Sequence, residues 1–587
     1  MLGARLRQAM PSGIPAGRML PLAWAAARHE LWRARCRLLR SSAAASLLGK
    51  STGRLRIAPP DIRSADRAIA HDICGGYFLI AGHAVTVSSG QSPFTIQDAH
   101  PDWRSGLHAF AWLRHLRIAQ DETSAQRARD LIVEWAATNT ASDPLAWSVE
   151  TTARRVISWL SHAPMFLDGV STEQHAQFIR SLTAQVALLE HALFGGPAGK
   201  PRLQAAIAVT MATLCLGAKS SRIDKAGRRL GAEIDRQVYG DGGHISRDPS
   251  AVADLLLDIL PLRQTYLATS IDPPARLMNA IERMMPMVRF FRHRDGTLAH
   301  FNGTGASSTA DLATLLAYDD AHGEPLRSAP HSGYERLTGL GATIILDTGR
   351  APPAELSGHA HAGTLAFEFS THSGHLIVNC GANHRLGSRW AEVCRSTAAH
   401  STATLNDSSS ARFAHAGWIT DRFGRVILEG PGRVRTERAD TSQTHSISAR
   451  HDGYVARFGT VHQRKLILAA DGTRLDGEDS FLAHGNAEEA AGGRFAIRFH
   501  LHPAVEVTTT QVGGLQLRVG NREVWGVFAD GAVITLEDSI FVNGPEAPRK
   551  TKQIVLSGSC HEHPSVHWSF IRSDHRPPAP LPGDGAS

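Results

Sequence analysis

Residues able to do chemistry crowd into one stretch, Ser357-Gly-His359-Ala-His361-Ala-Gly-Thr-Leu-Ala-Phe-Glu368. Residues two apart on a strand share a face, so this spacing predicts that His359 and His361 point together at one site. Neutral imidazole is both a metal ligand and a proton carrier near neutrality. Further along come Asn379, in Leu376-Ile-Val-Asn-Cys-Gly381, and His400, in Arg395-Ser-Thr-Ala-Ala-His-Ser-Thr402. Two histidines and an oxygen donor can hold zinc, with water or an outer partner completing the tetrahedron, although a neutral Asn is a poorer ligand than Asp. The chain has 31 His, so neighbouring pairs also arise by chance, and hydrogen-bonded histidines on a sheet face are the alternative.

The elements that must position these residues fall into two textures. From about Trp103 to Phe291 the apolar period is helical, over Gly106–Ala119, Ser124–Ala137, Ser148–Ser161, Glu173–Leu193, Leu203–Leu216, Lys225–Tyr239, Ala251–Leu267 and Pro274–Phe291. Gly169, Gly195-Gly196-Pro197, Gly240 to Gly243 and Pro273-Pro274 punctuate them. Helical hairpins repeated in this way predict a solenoid or an (α/α) toroid with a cleft at one end. After about Gly333 the pattern turns to short alternating, β-branched runs: Ala342–Leu346, Leu365–Phe369, His375–Val378, Val426–Leu428, Leu466–Ala470, Phe495–His500, Val505–Thr509, Leu515–Val519 and Gln553–Leu556. These predict an antiparallel β-sandwich. The expected fold class is therefore α then β. Its parts are a basic segment (1–56), a toroid domain (57–330), a β-sandwich domain (331–572) and a disordered Pro-rich tail (573–587).

Charge narrows the function classes. Residues 1–56 hold eleven Arg and Lys against one acid, Glu30, a local charge of +10 within an overall +7, so residues 57–587 carry −3. A nearly neutral body argues against nucleic acid as a partner, because phosphate neutralisation needs clustered basic residues. Met19–Arg40 mixes Leu, Trp and Ala with Arg at helical spacing. It reads first as a solvated cap, with a docking helix or a peripheral membrane contact as its other readings. The apolar core of Met19–Ala27 is short and far from Met1, so it reads as uncleaved, which points to the cytoplasm. Six scattered Cys form no C-x-x-C pair. Nothing in these patterns fixes an oligomeric state.

Several ordered motifs together resemble the heparinase II/III-like polysaccharide lyases. His359-Ala-His361-Ala-Gly363 is similar to the family's H-x-H-A-D, Leu376–Gly381 to L-x-x-D-x-G, and Arg395–Thr402 to R-S-T-x-x-H-N-T. In the helical half, Asp241-Gly-Gly-His-Ile-Ser-Arg-Asp-Pro249 resembles D-G-G-x-x-E-R-S-P, Arg154-Arg-Val-Ile-Ser-Trp159 resembles R-x-x-x-W, and Asp295-Gly-Thr-Leu298 resembles D-G-x-L. The resemblance implies β-elimination across a uronic acid of an acidic polysaccharide. That reaction needs a group to neutralise the carboxylate, a base for the C5 proton and an acid for the departing O4. It also implies His359 as the catalytic β-domain histidine and a structural zinc on His361, Asn379 and His400. A periplasmic location is the family-based alternative to the cytoplasm.

The departures lie where the chemistry should be. The family's N-H-x-x-E-N helix start aligns with Lys200-Pro-Arg-Leu-Gln-Ala205, and its catalytic Tyr-His with Ala251-Val252. Arg155, Arg202, Gln204, Arg247 and Asn302 remain as candidates for binding substrate, Arg being suited to grip a carboxylate. His244 or Tyr266 then stands in as base. The rival expectation is a catalytically altered glycan-binding or envelope-associated protein that keeps the fold but not the reaction. A hydrolase or deacetylase ranks last, since no glycosidase carboxylate pair stands out.

Overall fold

A computed structural model describes residues 16–39, 54–88, 90–138, 143–319, 323–383, 388–415, 417–485, 492–509, 514–521, 523–543 and 547–573. The tail expected to be disordered lies outside them from residue 574 onward. Two compact units emerge, one comprising 1–246, 250–288 and 308–324, the other 247–249, 289–307 and 325–587.

The first unit is helical apart from one antiparallel hairpin, Tyr77–Ile80 with His83–Thr86. Its helices include Ala16–Leu39, Arg67–Cys74, Pro101–Ala109, Leu113–Ala119, Glu122–Ala137, Val149–Leu167, Thr172–Gly195, Lys200–Cys215, Ser220–Gln237, Pro249–Ala268 and Ala275–Phe291. Side-chain caps start them where the sequence provides one. Asp121 accepts from the Ser124 amide, Ser148 from Thr151, and Ser171 and Gln174 form a reciprocal capping box. The Lys200–Cys215 helix is buried at every position from Leu203 to Cys215. It packs against Val149–Leu167, Thr172–Gly195 and Ser220–Gln237, which explains a composition apolar on all sides. One expected helix, Gly106–Ala119, is split, because Phe110 adopts a left-handed backbone (φ 56°) that ends Pro101–Ala109. Its ring is wholly buried against Trp112, Trp135 and Trp159, and that packing holds the unfavourable dihedral.

The second unit holds two large antiparallel sheets, beside a small pair formed by Arg412–Phe413 and Ile427–Glu429. One runs Val434–Asp440, Thr444–Tyr454, Thr460–Ala469, Arg474–Ala483, Ser565–Arg572, Glu523–Asp530, Leu515–Val519 and Val505–Thr509 in spatial order. The other runs Val533–Phe541, Arg549–Ser559, Arg494–Leu501, Gly374–Val378, Phe367–Thr371, Ala342–Asp347, Tyr334–Gly339 and Ser328–Ala329, with Ala403–Leu405 also on Arg494–Leu501. Side chains from both sheets share one core, including Ile344, Phe367 and Phe499 from the second and Leu466, Trp525 and Trp568 from the first. Phe367 and Trp568 stack with ring centroids 5.8 Å apart. This is the expected sandwich. Residues 289–307, which begin with the end of the helix Ala275–Phe291, belong to this unit and bring His293, Asp295, His300 and Asn302 to the second sheet.

Candidate functional site

The segment holding His359 and His361 is not a strand. It is a loop between the short 3-10 turn Ala354–Leu356 and the strand Phe367–Thr371, and Leu365 breaks extension with φ 63°. Its backbone bonds to a side chain rather than a ladder: Arg395 donates to the carbonyls of Ala360 (2.8 Å) and Ser357 (2.9 Å). The shared-face expectation therefore fails, and His359 is exposed while His361 is buried.

His361 sits in a chain of buried polar contacts. Its amide donates to Asn302 Oδ1 (3.2 Å), and its Nδ1 lies 2.9 Å from His400 Nε2. His400 Nδ1 donates to the Ser396 carbonyl (2.7 Å), which leaves His400 Nε2 as acceptor and places the shared proton on His361 Nδ1. Burial pushes the His400 pKa down to about 4. Asn302 in turn donates to the Tyr334 hydroxyl (2.7 Å) and approaches Asp347 (3.3 Å). Arg247 closes the network, donating to Asp347 and to the carbonyls of Ser332, Gly333 and Arg350. Gly349 admits that guanidinium, since a Cβ there would lie 2.2 Å from it. Arg247 is thus held in the interior with four of its guanidinium N–H groups on its own domain's acceptors.

Asn379 is committed as well. Its Oδ1 accepts from the Ser401 amide (3.0 Å) and its Nδ2 donates to the His300 carbonyl (3.2 Å). With His361 bonded to His400 and both amide functions of Asn379 engaged, a zinc on this trio would have to displace these contacts. Gly363, at the family's Asp position, packs on this pair, and a Cβ there would meet His400 Cδ2 at 2.7 Å.

The helical unit disposes of the remaining candidates in the same way. Arg155 has no exposed surface, donates to Gln185 and to the carbonyls of His108 and Ala146, and lies 4.3 Å over the Trp135 ring. His244 is 2% exposed with both nitrogens engaged, Nδ1 by Ser246 (2.7 Å) and Nε2 by Gln237 (3.0 Å), and burial pushes its pKa down to about 3. Tyr266 is 1% exposed, its hydroxyl pushed up to about 12 by burial. Neither is presented as a base. Arg202, half-buried, donates to the Gly196 carbonyl (2.7 Å), and Gln204 is buried one turn into the helix.

Two polar centres went unrecognised in the sequence. In the helical unit Arg154 grips Asp258 through two 2.7 Å bonds, Arg63 joins at 2.9 Å, and Lys200 pairs with Asp254 one turn away. Asp61, 4.0 Å from Arg63, supplies a third carboxylate for the three cations, so the charges pair off rather than line a cationic groove. In the sheet unit Glu368 is a buried hub: His293 Nε2 lies 3.0 Å from Oε2, while His300 Nδ1 (3.4 Å) and the Asn379 amide (3.1 Å) face Oε1. Burial alone would raise this carboxyl, but His300 and His293 outweigh it and hold it well below the usual range. The signal for this hub was strand register, since Glu368 and Ser370 share a face and Ser370 pairs with His375.

Residues 321–569 match the family model described as heparinase II/III-like, C-terminal. Over nearly the whole chain, the sequence is 30% identical to FtsZ-localized protein C of Caulobacter vibrioides, covering 93% of this chain and 96% of that one. The chain belongs to the heparinase II/III-like family. Solved heparinases share its fold at low identity. A crystal structure of heparinase III superposes with a TM-score of 0.67 at 13% identity over 90% of this chain and 89% of that one. A heparan sulfate lyase mutant from Pedobacter heparinus gives 0.58 at 14% over 96% and 92%. In this heparinase II/III-like chain the fold persists at low sequence identity.

Proposed function

We propose that this chain uses the heparinase II/III-like fold as a binding scaffold without the elimination reaction, and that it localises with FtsZ. One observation carries the first half: each stand-in for the missing base is interior and occupied or neutral, His244 through Ser246 and Gln237, Tyr266 through burial. Abstraction of a C5 proton needs a basic atom within hydrogen-bond reach of the sugar, and a ring enclosed by its own helix and turn offers none. The family fold supports a polysaccharide as the ligand class. The likeness to a protein named for FtsZ localisation, over almost all of both chains, supports the second half.

The Ala16–Leu39 helix favours a location at an anionic surface. Leu22, Ala25, Trp32 and Cys36 are buried, which leaves Leu20, Trp24 and Leu31 at 79%, 66% and 70% exposure beside the exposed Arg33 and Arg35. Apolar side chains flanked by arginine suit an interfacial helix. No helix among the described residues is long and apolar enough to cross a membrane.

The lyase reading retains one residue, since His359 is exposed. A single experiment separates the two. Full-length protein is incubated with heparan sulfate, heparin, alginate and hyaluronan while the ultraviolet absorbance of a 4,5-unsaturated uronate is followed, and the same preparation is sedimented with FtsZ polymers. The scaffold reading expects a flat trace and co-sedimentation. A rising trace that disappears in His359→Ala overturns it in favour of elimination.

A further inference from the structure

The geometry points to a metal site that is separate from the family's zinc position: we propose that His293, Glu368 and His375 bind a borderline divalent ion of the Zn2+ class. Their donor atoms all lie within 4.8 Å of one another, and all three residues are buried. Each ligand has its own outer partner. Glu368 Oε1 is held by the Asn379 amide and His300, which leaves Oε2 to face the site. His293 Nδ1 lies 2.8 Å from the Ser370 hydroxyl, so Nε2 faces inward. His375 Nε2 lies 3.0 Å from Asp295 Oδ2.

The last contact is the telling one. With its Nε2 proton donated to Asp295, His375 presents a lone pair at Nδ1, and that buried nitrogen has no hydrogen-bond partner among the described residues. An enclosed polar atom without a partner is costly, whereas a carboxylate behind one imidazole nitrogen and a free lone pair on the other is how metal-bound histidines are oriented. On binding, His293 shifts its proton from Nε2 to Nδ1, where the Ser370 hydroxyl accepts it, so no net proton has to leave. Two imidazoles and one carboxylate suit zinc or cobalt rather than calcium or magnesium, which demand six or more oxygens. Three ligands leave a fourth position for solvent or an added ligand.

The set does not depend on the proposed function, and its test reads metal rather than activity. Full-length protein is stripped with a chelator and dialysed against Zn2+, and bound metal is counted by elemental analysis. Co2+ loading supplies a visible spectrum. The expected result is one Zn2+ per chain in the wild type and in His361→Ala and His400→Ala. Affinity should fall more than a hundredfold in His375→Ala and roughly ten- to a hundredfold in Asp295→Asn, which touches only the outer partner. Should His375→Ala fail to fold, Asp295→Asn decides, because Asp295 is partly exposed and its replacement keeps the side chain's shape. Failure of the wild type to retain metal overturns the proposal. So does loss of metal in His361→Ala or His400→Ala with retention in Asp295→Asn.

Discussion

Replacing Asp479 by Asn should unfasten the sandwich at the point that braces the histidine loops. Asp479 is fully buried and accepts from Arg464 Nε (2.8 Å) and Nη2 (2.9 Å), His462 Nε2 (2.7 Å) and Trp568 Nε1 (2.9 Å). Arg464 spends its remaining nitrogen on the carbonyls of Leu365 (2.8 Å), four residues after His361, and Ser401 (2.7 Å), the residue after His400. An Asn keeps one acceptor oxygen and turns an NH2 toward a guanidinium that remains charged and enclosed. Breaking a buried pair in this way costs about 3–5 kcal/mol. With a urea slope of about 2–3 kcal/mol per molar, the midpoint should fall by about 1–2 M. Hydrogen exchange of peptides spanning 460–483, followed against urea, assigns the loss to this sheet. The double change Arg464→Met with Asp479→Leu should recover only part of it, because the Leu365 and Ser401 carbonyls stay unpaired, at about 1–3 kcal/mol each. A midpoint shift below about 0.3 M in Asp479→Asn would refute the reasoning.

Four further outcomes follow from the same geometry. Tyr266→Phe removes a buried hydroxyl that has no partner among the described residues, so thermal unfolding should show unchanged stability or a gain of up to about 1 kcal/mol. Gly363→Asp restores the family residue but drives a Cβ into His400; it should destabilise by about 1–3 kcal/mol, read as a lowered midpoint together with a changed His400 imidazole resonance. Burial holds the His244 and His500 pKa values at about 3, so the unfolded chain takes up their protons first. Stability should therefore fall as pH drops below about 6.5, by about 2 kcal/mol apiece at pH 5, and denaturation of His244→Gln should show a shallower slope. Asp258→Asn strands Arg154 and Arg63 in the helical unit and should cost about 3 kcal/mol in the same measurement.

Much of the fold was legible because it follows periodicity. Val505–Thr509 and Leu515–Val519 were read to the residue, and the eight helical segments all appear, Gly106–Ala119 in two pieces. Strands such as Val434–Asp440 and Val533–Phe541 escaped notice because they expose charged or polar side chains on much of their surface, so no apolar alternation marks them. The site was less legible for a different reason. Arg155, Arg247 and His244 are residue types that catalysis uses, but the same hydrogen-bonding capacity makes them interior fasteners, and only their partners distinguish the roles. The His359–His361 spacing misled because Arg395, thirty-odd residues away, supplies the loop's carbonyls with donors that a neighbouring strand would otherwise provide.

Asn379 and Glu368 bear on how this lineage could change. The Asn379 amide group lies 3.4 Å from Glu368 Oε1 and its backbone N–H 3.1 Å from the same oxygen. Putting the family's Asp at 379 would set two carboxylates against each other in a dry interior, forcing one to take up a proton or the strands to part. The negative charge of this strand pair can therefore be housed at one address or the other, not at both. An Asp at 379 is therefore a step downhill in stability unless Glu368 is neutralised with it, so the carboxylate next door guards the present Asn.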